Sequence, residues 1–111
     1  NKRKDVILKE IHYDYEELES LNKDYSNGKV NEVKYHLLLS LCFSRIAENE
    51  FIQGKYRECH VCVSKQIDEF ALAVQLLQEG KDAPTATKGI LKATLNQYTM
   101  AVQHFLFPTM M

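Results

Sequence analysis

The sequence predicts an all-α protein, an antiparallel four-helix bundle running up-down-up-down, and three observations carry that prediction. Apolar residues recur at three- and four-residue steps in four separate segments. Only four glycines and two prolines occur in 111 residues, too few for a turn-rich β fold. The stretches between the periodic segments are short, and short connections force neighbouring helices to run antiparallel. No segment alternates with period two for long enough to suggest a strand, and one domain over residues 1–111 accounts for the length.

The first helix is expected from about Lys2 to Tyr25. Ile7, Ile11, Tyr15, Leu18 and Tyr25 form its apolar stripe, and Asp14, Glu16, Glu17 and Glu19 read as a solvated acidic face. Gly28, after Ser26-Asn27, suits a left-handed cap. The second helix starts after Asn31, a good N-cap residue, and reaches about Ile52. Val33, Leu37, Leu38, Leu41, Cys42, Phe43, Ile46 and Phe51 cover more than one stripe, which makes this the most buried helix. Its later polar residues, Arg45, Glu48, Asn49 and Glu50, read as the solvent side, although any that turned inward would need a partner.

The third helix runs from about Lys55 to Gln78 between Gly54 and Gly80, with Tyr56, Cys59, Val63, Ile67, Phe70, Val74 and Leu77 on one side. The fourth runs from about Thr85, after Pro84, to Phe107, where Pro108 halts it. Its stripe is Leu91, Leu95, Tyr98, Val102 and Phe105.

Phe43, Ile46, Ala47, Gly54, Tyr56, Glu58, Cys59 and Val63 supply a bulky residue early in one helix, a small contact residue, and a Gly-x-Tyr-x-Glu turn into the next. This central hairpin resembles a tetratricopeptide-type helical hairpin over about a third of the chain. The pattern departs at Gln66, where that family has a small residue, and no proline closes the unit near Ala71. The resemblance implies a scaffold that binds peptides or proteins. A solenoid of such units needs about three repeats, so the reading here is a hairpin of similar geometry inside a bundle.

A formal net charge of −1 argues against a dedicated nucleic-acid or polybasic membrane binder. No apolar run approaches the roughly 18 residues that cross a bilayer. No signal-peptide pattern is present, and the first residue is Asn1, which reads as a trimmed start. Three cysteines, Cys42, Cys59 and Cys62, read as free thiols in a reducing, cytoplasmic setting. Buried, each behaves as a small hydrophobe.

Three chemical readings compete. Cys59 and Cys62 stand one turn apart, and with His36 and His60 they could complete a zinc site in a metal-binding bundle. The same thiols near a helix start could do redox chemistry, but the surrounding strand-helix-strand pattern is missing. Lys2-Arg3-Lys4 could touch nucleic acid in a small nucleic-acid-associated protein. Arg57 and His60 sit too close in sequence for a helical nuclease pair. Ser40, Ser44 and Ser64 lie in helices without a glycine elbow.

The expectation is therefore a non-enzyme without a cofactor: a protein-interaction module of the adaptor, secretion-chaperone or immunity-protein kind. It would bind a protein partner or a second copy of itself. Two places qualify as the interface. One is the acidic face at Asp14, Glu16, Glu17 and Glu19. The other is the acid-free, apolar end at Phe105, Phe107 and Met110.

Overall fold

A computed structural model of the chain describes residues 3–81, 83 and 87–106. Four helices follow one another: α1 (Lys4–Ser26), α2 (Glu32–Ile52), α3 (Tyr56–Gln78) and α4 (Thr87–Ala101), the last continuing as a π-helical turn, Val102–Leu106. Among the described residues there is no strand.

The helix ends follow from local chemistry. Asn31 caps α2, its side-chain oxygen accepting from the amides of Val33 (2.9 Å) and Lys34 (3.2 Å). After α1, α2 and α3 the chain stops in the same way. Gly28, Gly54 and Gly80 adopt φ of 72°, 77° and 87°, the left-handed region that glycine enters without steric cost. Each glycine amide donates three residues back, and the following lysine amide donates five residues back, to Asp24, Glu50 and Leu76. That is the Schellman pattern, three times over. The Gly-Lys pairs stand 26 residues apart, so the three helices have matched lengths.

Cross-helix bonds fix direction. Asn49 with Glu10, Arg45 with Asp14 and Tyr35 with Asn22 run in opposite order along α1 and α2. The pairs His36–Glu69 and Cys62–Glu50 do the same for α2 and α3. Ser44 with Gln97 and Phe51 with Phe105 advance together, so α4 runs parallel to α2. The topology is up-down-up-down.

The bundle is not a symmetric ring. The α2 backbone lies against α1, α3 and α4, whereas α1 and α4 do not meet. At about 100° per residue, His36, Ser40 and Glu50 face α3. Ser44 and Phe51 face α4, while Tyr35 and Asn49 face α1. One sector of α2 remains open between α1 and α4, and there Arg45, Glu48 and Ile52 are exposed.

Two apolar cores result. One gathers Leu18, Leu39, Cys42, Ile46, Ala47, Cys59, Cys62, Val63 and Ala101. The other gathers Val33, Leu37, Ala73 and Leu76, with Phe70, Ile90 and Leu91 against it. As expected, α2 is the most buried helix.

The buried stripes of the other helices are rotated from those expected. In α1 the buried residues are Ile7, Asp14 and Leu18, and Tyr15 and Tyr25 are exposed. Tyr25 instead stacks on Tyr35, ring centroids 4.1 Å apart. In α3 the seam is Cys59, Cys62, Val63, Gln66, Ala73 and Leu76, while Tyr56 is exposed. In α4 the buried residues are Thr87, Thr94 and Ala101, seven apart, and Leu95 is exposed. Small side chains on that line let α4 seat closely in the groove between α2 and α3, with the larger Ile90, Leu91 and Tyr98 only half-buried beside it.

Candidate functional site

The open sector of α2 reaches one end of the bundle, formed by the start of α1, the end of α2, the start of α3 and the π-turn after α4. Gly54 is what assembles it. By stopping α2 sharply, it holds Phe51 against Tyr56, ring centroids 5.3 Å apart and edge-on. Phe105, carried by the π-turn, also lies against Phe51, ring centroids 5.1 Å apart.

Around these rings apolar side chains stay in solvent: Leu8 is 47% exposed, Ile52 47%, Tyr56 58% and Met100 50%. Two grooves cross the end and share Ile52. One is lined by Lys4, Ile7, Leu8, Ile52, Gln53 and Lys55. The other is lined by Ser44, Glu48, Phe51, Ile52, Gln97, Met100, Ala101, His104 and Phe105. Scattered apolar residues are normal on a surface, but a contiguous apolar set in a groove is the usual mark of a contact surface.

No protein-family model, curated protein or solved structure matches the chain.

The acidic face expected on α1 is divided. Asp14 is buried, 3% exposed, and accepts from Arg45 Nε at 3.0 Å. Glu17 is half-buried and accepts from the same guanidinium at 2.9 Å. Burial alone would lower the pKa of Arg45, but the Asp14 hydrogen bond and the negative groups beside it leave it raised. Asp14 and Glu17 thus hold α1 to α2 and do not form a solvated face. Glu19 is exposed, and Glu16 is exposed with His12 beside it at 2.8 Å. The polar run of α2 is likewise only partly a solvent side. Asn49 and Glu50 are buried, the first bonded to Glu10 and the second accepting from Cys62 Sγ at 3.1 Å.

Cys59, Cys62, His36 and His60 are not brought together. His36 Nδ1 meets Glu69 at 2.8 Å, beside Tyr35. Glu69 is two turns beyond Cys62, or about 10 Å along α3. His60 is exposed while both thiols are buried, because neighbouring residues on a helix point to different sides. Among the described residues no group of three or more His, Cys, Asp or Glu side chains is arranged to hold a metal ion.

The three thiols are free and buried. Burial pushes Cys42 and Cys59 up to about 11, and burial with the Glu50 carboxylate pushes Cys62 up to about 12. Thiols so protonated are poor nucleophiles at neutral pH.

Of the apolar-end residues, Phe105 lies in the face just described. Phe107 and Met110 are outside the described residues. Sequence reasoning missed Phe51, Ile52, Tyr56 and Met100 as surface groups. Their apolar character placed them in or beside core stripes, and only the packing of α1 and α4 leaves them uncovered.

Proposed function

We propose that this chain is a non-catalytic protein-interaction module, of the adaptor, chaperone or toxin-neutralising kind, that docks a protein partner across the bundle end. The observation that carries the reading is the contiguous apolar set Leu8, Phe51, Ile52, Tyr56 and Met100, exposed on four converging elements and backed by Phe105. Aromatic residues and methionine are the side chains enriched where protein surfaces meet. The resemblance of the α2–α3 hairpin to a tetratricopeptide-type unit supports the same reading. Three buried free thiols favour a reducing, cytoplasmic setting. No helix among the described residues is long and apolar enough to cross a membrane.

The test is site-specific photo-cross-linking in the native cell, with the reactive group at position 52 or 100 and, as control, at position 19. A partner captured in stoichiometric yield from positions 52 and 100 and not from position 19 is the expected result. Equal capture from all three positions, or from position 19 alone, refutes the docking face.

A further inference from the structure

The apolar end also carries a pattern of charge that selects its occupant. Lys4 and Lys55 border the groove whose floor is Ile7, Leu8 and Ile52. Among the described residues neither lysine has an ion-pair partner, and the nearby Asp5 is engaged by Arg3 at 3.3 Å. On the far side of Ile52 the exposed Glu48 borders the second groove. The Lys4 and Lys55 margin is therefore positive, whereas the Glu48 margin carries both signs, with Glu10, Lys9 and Arg45 beside it.

Its shape is equally specific. The α2 helix has neighbours on three sides, and the fourth side, between α1 and α4, is open. A gap left by one missing neighbour in a bundle is the width of a helix, about 10 Å.

We propose that the bundle end takes an amphipathic helix whose apolar face covers Leu8, Ile52 and Met100 and whose carboxylates lie against Lys4 and Lys55. The proposal rests on the reading of this end as a protein-docking face. Helix-in-groove recognition supplies the apolar anchors. The lysines set orientation, with the acidic flank of the partner at Lys4 and Lys55. An anionic bilayer fits less well, because the exposed carboxylate of Glu48 borders the face and repels anionic headgroups.

The experiment titrates the full isotope-labelled chain with three synthetic amphipathic helices about 18 residues long, roughly 27 Å. They share one Leu/Phe face and carry Glu, Gln or Lys on the flank. Phosphatidylcholine vesicles containing phosphatidylserine form a fourth arm. Amide shifts locate binding and fluorescence anisotropy gives affinity. The Glu helix is expected to bind about tenfold more tightly than the Lys helix, with shifts at Leu8, Ile52 and Phe105 and weaker binding at higher salt. The Lys4→Glu/Lys55→Glu variant is expected to invert that preference. Both lysines are exposed, so its melting curve is expected to match the parent and exclude misfolding. If all three helices bind the same face equally, the charge selection is wrong and the docking face stands. If the Lys helix binds best, or vesicles bind and helices do not, the proposal is overturned. If no helix moves these amides, the proposal is overturned, and cross-linking from positions 52 and 100 decides the docking reading separately.

Discussion

Gln66 offers a direct measure of how the α2–α3 seam is built. Its side chain is wholly buried at the centre of the seam, and neither its amide nitrogen nor its amide oxygen has a hydrogen-bond partner among the described residues. The Ser40 hydroxyl donates to its main-chain carbonyl at 2.9 Å and not to its side chain. An unsatisfied buried polar group costs about 1–3 kcal/mol. Gln66→Met keeps the length and volume of the side chain and removes the two polar atoms. The variant is expected to be more stable by about 1–3 kcal/mol, because the desolvation cost disappears while the packing is kept. For a domain of this size that is a Tm rise on the order of 5–15 °C. Urea unfolding followed by circular dichroism at 222 nm reads it, with an unchanged slope showing that the same surface is buried. Gln66→Ala is the control and is expected to destabilise, since it leaves a cavity. A loss of more than about 1 kcal/mol in Gln66→Met would refute the reasoning, because the amide would then have to be making bonds that methionine cannot.

Other outcomes follow from the same packing. Removing Arg45 strands the buried Asp14 carboxylate. Arg45→Met is expected to cost about 1–3 kcal/mol, less than a fully buried pair because the guanidinium is partly in solvent, and Arg45→Met/Asp14→Leu is expected to recover most of it in urea. Gly54→Ala forces a Cβ into φ 77° and is expected to cost about 1–2 kcal/mol by thermal melting. The thiols should react with Ellman's reagent only on unfolding. Because each is held protonated in the fold, the unfolded chain releases these protons first as pH rises. Stability is then expected to be undiminished by the thiols below about 9 and to fall from there toward about 11 to 12. A flat alkaline stability profile would contradict that.

How much of this was legible in the sequence depends on what decides each feature. Helix ends are local: Asn31 announces its cap by chemistry, and Gly28, Gly54 and Gly80 announce left-handed stops, so the α2 and α3 bounds agree with expectation to within a residue. Periodicity gave the helices but not the angle at which each faces its neighbours. In α4, Leu95 looks like core and Thr94 does not, yet Thr94 is buried and Leu95 is in solvent, because a close seat against two helices favours the smaller side chain. In α1 the acids look solvated until Arg45, thirty-one residues later, turns toward Asp14. The apolar bundle end was legible only in Phe105, since Ile52 and Met100 are indistinguishable from core residues until α1 and α4 are seen to stand apart.

The most direct test of the proposed docking face is hydrogen exchange on the chain bound to a partner captured by cross-linking, compared with the chain alone. Slowed exchange confined to residues 5–9, 48–56 and 97–105 is the expected result. Protection confined to the outer side of α1, around Glu16 and Glu19, would contradict it and move the interface to the acidic helix.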